Sequence, residues 1–136
     1  MAAHSSLVLT LKRDLDLPLE AVWRAWTDPD WLVRWFTPAP WTTSRCELEL
    51  RPGGRFLVVM RSPEGEEAPQ EGCVLEVVPG GRLVWTSALR EGYVPAPPTD
   101  FPPITVTITL EALEDGTRYT ATVDHPRGED GEGPEA

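Results

Sequence analysis

The chain has 136 residues, 40% of them hydrophobic, which suits one domain with its own core and excludes a disordered chain. Its 22 acidic and 12 basic residues give a formal net charge of −10, and Lys12 is the only lysine. Nucleic acid and anionic membrane surfaces are therefore excluded as partners, since both demand clustered Lys and Arg. With 15 prolines and 11 glycines, the chain favours turns and short elements over long helices.

In chain order, "SLVLTLKRDLDL" predicts a first strand, with Leu7, Leu9 and Leu11 on one face and Val8, Thr10 and Lys12 on the other. Pro18 then suits the first turn of a helix whose apolar stripe is Leu19, Val22, Trp23 and Trp26, with Glu20 and Arg24 as an i,i+4 pair. Asp28 is placed to cap a second short helix with Pro29 at its first position, and Trp31, Leu32, Trp35 and Phe36 supply its apolar side.

From about residue 43 the apolar period becomes two. Cys46, Leu48 and Leu50 alternate along one strand, Pro52-Gly53-Gly54 turns the chain, and Phe56, Val58 and Met60 share a face of the next. "SPEGEEAPQEG" reads as a polar turn. A second hairpin turns at Pro79-Gly80-Gly81, with Cys73, Leu75 and Val77 on its inner face. In the last hairpin Ile104, Val106, Ile108 and Leu110 point inward, Thr105, Thr107 and Thr109 outward, and Asp115-Gly116 marks the turn. Tyr119, Ala121 and Val123 continue the inner face. The proline-rich stretch 94–103 is expected to be a stiff, extended connection and not a strand. "PRGEDGEGPEA" (126–136) has no large apolar residue and reads as a disordered acidic tail after a domain spanning 1–125. The expected order is one strand, two short helices and about six antiparallel strands.

Signals for chemistry are few. His4 and His125 lie far apart, with no ligand set at metal-binding spacing, so neither a metal nor any other cofactor is expected. Cys46 and Cys73 read as buried thiols on inward-facing positions. The glycine pairs of "RPGGRF" and "VPGGRL" are explained by hairpin turns and not by phosphate binding. Arg90, Glu91, Tyr93 and Asp100 surround the proline-rich loop and are the only catalytic candidates; a solvated loop explains them better. With no signal peptide and no apolar run of membrane length, the chain is expected to be cytoplasmic.

The segments "AVWRAWTDPDWLVRWF", "RPGGRFLVVMRSPEG", "EVVPGGRLVWT" and "VTITLEALEDGTRYTATVDH" resemble, in order and spacing, those of bacterial proteins similar to the C-terminal domain of the heat-shock-protein-90 ATPase activator. That family lies in the START-like (SRPBCC) superfamily. The resemblance spans roughly residues 6 to 125. It implies an α+β helix-grip fold: a curved antiparallel sheet of 6–7 strands around an apolar cavity, normally closed by a long C-terminal helix. Here the polar 126–136 stretch cannot supply that helix, so either a second copy of the chain, as a homodimer, or the two N-terminal helices must cover the inner face.

The resemblance implies a non-enzymatic domain that binds a hydrophobic or aromatic small molecule. A chaperone-interaction module and a pocket enzyme of the cyclase type are the alternatives. Trp35, Phe36 and Trp41, next to the "TPAP" break, are expected to rim the cavity, with Trp26 beneath them. Phe56, Val58, Met60 and Leu75 are its expected strand walls, Trp85 and Ile108 the wall opposite, and Tyr93 and Phe101 the contribution of the proline-rich loop.

Overall fold

A strand opens the chain, β1 (Ser6–Leu15), followed by two helices, α1 (Leu19–Thr27) and α2 (Pro29–Leu32). Then come β2 (Thr42–Leu48), β3 (Arg55–Arg61), β4 (Glu67–Val78) and β5 (Arg82–Thr86). A small hairpin, β6 (Leu89–Arg90) and β7 (Val94–Pro95), flanks a 3-10 turn at Glu91–Tyr93 and precedes β8 (Thr105–Leu113) and β9 (Gly116–Pro126). The structure is a computed structural model and describes residues 6–37, 39–97 and 103–126. The expected disorder of 127–136 and the placements of Asp100 and Phe101 lie outside the described residues.

The main sheet is a seven-stranded antiparallel meander in the order β1-β9-β8-β5-β4-β3-β2, closed at one side by the first strand pairing with the last. With two short helices against this curved sheet the fold is α+β and of the helix-grip type, and no long helix follows β9 among the described residues. No helix among those residues is long and apolar enough to cross a membrane.

Local chemistry sets the helix ends. Pro18 is extended and caps α1 instead of entering it, its carbonyl accepting from the Ala21 and Val22 N–H groups. Asp28 ends α1 and starts α2: its N–H donates to the Arg24 carbonyl, and its carboxylate accepts from the Asp30 N–H at 3.0 Å, with Pro29 first in the new helix. The second helix is a single turn, shorter than its apolar pattern predicts. Trp35 and Phe36 lie in the turns beyond it, and Trp31 is turned outward, its ring 4.9 Å from the Arg24 guanidinium and 5.5 Å from that of Arg34.

The sheet also corrects the expected faces of β4. Val74 pairs with Trp85, but Glu76 pairs with Val84, so Leu75 is an extra residue in a β-bulge. Val74 and Val77 therefore point into the core, Cys73 points to the opposite face, and Leu75 stands outside the core cluster. Cys46, across from Val58, does face inward, and both thiols are free. The polar stretch 62–72 turns only as far as residue 66; Glu67–Gly72 is already strand, paired with β3. Val94 and Pro95, expected in a strandless connection, pair with Leu89 and Arg90.

Both sides of the sheet centre are buried. On the concave side the core comprises Val22, Trp26 and Leu32 of the helices against Phe56, Val58, Val74, Leu83, Trp85, Val106, Ile108 and Leu110. On the convex side Leu57, Val59, Cys73 and Val84 are buried. There the β6–β7 hairpin lies against β3 and β4, with Arg90 3.5 Å from Glu71 and Arg55 bridging Glu47 (2.9 Å) and Glu71 (3.3 Å).

Candidate functional site

The concave face divides into a covered and an open half. Helix α1 lies against β8 and β9, and α2 against β2, so the centre of the sheet is roofed. The roof closes over Phe56, Val58, Val106 and Ile108, the residues left bare if nothing replaced a C-terminal helix.

Five aromatic rings form one continuous chain under that roof. Trp35 meets Trp26 edge to face at 4.8 Å, and Trp26 meets Phe36 at 6.2 Å. Phe36 lies 6.1 Å from Phe56, which stacks on Trp85 at 4.0 Å with planes 9° apart. Phe56 on β3 and Trp85 on β5 meet because Gly72 stands between them on β4: a Cβ there would be 2.6 Å from the Thr86 carbonyl oxygen and 3.4 Å from the Trp85 ring. The indole N–H groups have different fates. That of Trp26 donates to the Tyr119 hydroxyl at 3.2 Å and that of Trp35 to the Ala25 carbonyl at 2.9 Å. Trp85 Nε1 is buried and has no acceptor among the described residues.

The open half lies along β1 and β9. Inward positions pair in rows across the sheet: Leu9 with Val123, Val123 with Val106, Val106 with Trp85, and Trp85 with Val74. Along this row exposure falls from 54% at Leu9 to 5% at Val106, 2% at Trp85 and 0% at Val74. The next row runs Leu11, Ala121, Ile108, Leu83, and falls from 43% exposed to 1%. An apolar shelf thus leads from the β1 edge to the aromatic chain.

The structure brings Trp26, Trp35, Phe36, Phe56 and Trp85 together, with Val58 and Ile108 in the same core and Met60 packed against it. Trp41 is half-buried, just ahead of β2. Leu75 stands at the β4 bulge, and Tyr93 lies apart from the rings: a Cβ on Gly53 would be 3.0 Å from its own ring. Of the shelf residues, Ala121 and Val123 were legible as inward positions and Leu9 and Leu11 as one face of the first strand, but none as an open surface. Arg90 and Glu91 are tied to Glu71 and Arg51 by ion pairs on the far side of the sheet, away from the rings.

Burial and pairing shift a few titrating groups. Burial, helped by the Glu47 carboxylate, pushes the Cys46 thiol up to about 11. Burial also raises Tyr119, partly offset by the hydrogen bond from Trp26. Asp14 is held below its usual value by hydrogen bonds from Arg118, its partner across β1 and β9, at 3.0 and 3.3 Å. Glu49 is lowered chiefly by the Arg55 backbone N–H. No group of three or more His, Cys, Asp or Glu among the described residues is placed to hold a metal ion. A hollow of about 640 Å³ lies elsewhere: it opens widely to solvent between Asp16–Glu20 and Ala112–Gly116, and none of the predicted cavity residues borders it.

This architecture recurs in solved structures. A protein of Nitrosomonas europaea is 49% identical with a TM-score of 0.84, the match covering 88% of this chain and 75% of that one. A protein of Chromobacterium violaceum is 27% identical with a TM-score of 0.73, covering 90% and 82%. An AHSA1-like protein of Aeromonas hydrophila, 24% identical with a TM-score of 0.70 over 87% and 74%, shares the fold. No curated protein matches the chain significantly. The model of the family described as "Activator of Hsp90 ATPase homolog 1-like protein" matches residues 16–136. The chain belongs to that family, within the START-like superfamily.

Proposed function

We propose that the protein binds a flat apolar or aromatic small molecule on the concave face, where the open shelf of β1 and β9 meets the aromatic chain. One observation carries this reading: the inward row that begins at Leu9, 54% exposed, ends at Trp85, 2% exposed, with apolar side chains throughout. Covering about 100 Å² of such surface contributes roughly 2.5 kcal/mol, enough for a small ligand to gain from lying there. The rings at the inner end offer stacking faces to a flat ligand, and the reading is binding without turnover.

Titration with a neutral hydrophobic dye such as Nile red, followed by dye emission and by tryptophan fluorescence, tests it. Saturable binding that weakens about ten-fold or more in Leu9→Glu and Leu11→Glu, with unfolding midpoints unchanged, is expected. Binding that ignores both substitutions sinks the reading.

The same exposed shelf favours a second reading, a protein partner, and the family description points to a chaperone of the Hsp90 type. Adding the protein to such a chaperone and following ATP hydrolysis separates the two, since a ligand-binding domain leaves the rate unchanged. A second copy of the chain on the shelf would instead appear as a dimer in sedimentation.

A further inference from the structure

The aromatic chain contains one polar atom without a use in the fold. Trp85 is 2% exposed, and its Nε1 is buried with no acceptor among the described residues, whereas the indoles of Trp26 and Trp35 both donate within the protein. A buried donor left unpaired is costly, because it has given up its bond to water and gained none in return. Natural folds pair such groups, so an exception needs its own explanation.

The surroundings of Trp85 say why the protein itself does not satisfy it. One face of the indole is taken by Phe56, stacked at 4.0 Å. The Cε3 edge faces Gly72 on β4, where a Cβ would come within 3.4 Å of the ring. The paired inward residues next to Trp85 are Val106 on β8 and Val74 on β4, which offer no side-chain acceptor. Outward along the same row come Val123 and Leu9, the shelf that is open to solvent. The donor is thus enclosed by apolar side chains, on the row that leads under the roof through Val106 and Val123 to the open shelf at Leu9.

Building on the ligand-binding reading above, we propose that Trp85 Nε1 is the specificity-determining donor of this site, selecting flat aromatic ligands that carry one acceptor oxygen, a ring ketone or quinone carbonyl, over hydrocarbons of the same shape. Discrimination of this kind is strong where a site holds an unpaired buried donor, because a ligand lacking the acceptor leaves that donor unsatisfied. An ionised carboxylate is disfavoured, since the shelf residues supply no cation to offset its desolvation.

The test uses two tricyclic probes of matched shape, 9-fluorenone and fluorene, which differ in a carbonyl against a methylene. Affinities are measured for the full chain by calorimetry, and the assigned indole N–H resonance of Trp85 in the wild-type protein is followed by ¹⁵N–¹H spectroscopy. Fluorenone is expected to bind about ten-fold tighter than fluorene and to shift the Trp85 indole proton downfield, while the other indoles move less. Trp85→Phe, which keeps a ring for Phe56 to stack on, is expected to remove the preference, so that fluorenone binds no tighter than fluorene. Equal affinities with an unmoved Trp85 resonance overturn the proposal and leave the ligand-binding reading standing. The proposal falls in the same way if that indole proton stays bonded to a buried water with fluorenone bound. If neither probe binds, both fall together. Should Trp85→Phe fail to fold, the wild-type resonance and the two wild-type affinities still decide.

Discussion

The rings of Phe56 and Trp85 stack at 4.0 Å, 9° from parallel, across the gap that Gly72 leaves on the strand between them. This contact ties β3 to β5 over β4 and anchors the aromatic chain that reaches up to the helices. Gly72→Ala should cost about 1–3 kcal/mol, because the new methyl meets a backbone carbonyl that no rotamer change can move aside. Phe56→Ala should cost about 3–5 kcal/mol by leaving a cavity against Trp85. Urea unfolding followed by tryptophan emission measures both, and a Gly72→Ala protein as stable as wild type would contradict the contact.

The bond from Trp26 to the Tyr119 hydroxyl joins α1 to β9, 93 residues away. Tyr119→Phe leaves an indole donor without its partner and should destabilise by about 1–3 kcal/mol. Trp26→Phe with Tyr119→Phe should cost less than the sum of the two single changes, since the second removes nothing the first has not already broken. Chemical denaturation of the four proteins gives the coupling, and strict additivity would show that the bond contributes nothing.

Asp28 ends one helix and caps the next, so Asp28→Ala should cost about 0.5–2 kcal/mol. Its larger effect should be local. Loss of the cap loosens the turn that sets Trp35 and Phe36, raising dye binding and tryptophan quenching by acrylamide before any global unfolding.

Cys46 gives a pH dependence of known sign. Its thiol sits near 11 in the fold against 9.0 for a free group, so between these values the unfolded chain has lost the proton and the folded chain keeps it. Stability from this residue is thus constant below about pH 9 and falls as pH rises toward 11, a fall that Cys46→Ala should lessen. At pH 8 native Cys46 should react with iodoacetamide about 100-fold more slowly than the same thiol in urea, following its thiolate fraction. A native rate equal to the unfolded rate would show that the residue is not buried as described.

Much of the fold was legible in the sequence, because hairpin alternation and helix punctuation are local signals. Asp28-Pro29 marks a helix start wherever it occurs, and the glycine turns fix the strand ends around them. The β4 faces were not legible: the bulge at Leu75 shifts parity by one residue, and a run such as "CVLEVV" alternates equally well on either side of it. Nor was the length of α2, since Trp35 and Phe36 serve the core from a turn as well as from a helix. Of the residues predicted for the site, Trp26, Trp35, Phe36, Phe56 and Trp85 were drawn together by packing that no local pattern encodes. The open shelf escaped for a related reason. Leu9 and Leu11 alternate as buried residues do, and only the reach of α1 and α2 decides which inward positions gain a roof.

The pairing of β1 with β9 also sets the order in which the fold can assemble. Asp14 and Arg118, neighbours across that ladder, are 104 residues apart, so β1, made before the rest of the sheet, must wait for β9. The hairpins from β2 to β5 close short loops and pair early, whereas this ladder closes the longest loop in the sheet and pays the most entropy for it. During synthesis β1 is a strand without its one neighbour, and its Leu9 and Leu11 remain exposed even in the finished fold. A circular permutant that makes β9 and β1 adjacent in sequence would turn this late step into a local one, and should fold faster without a change in its native contacts.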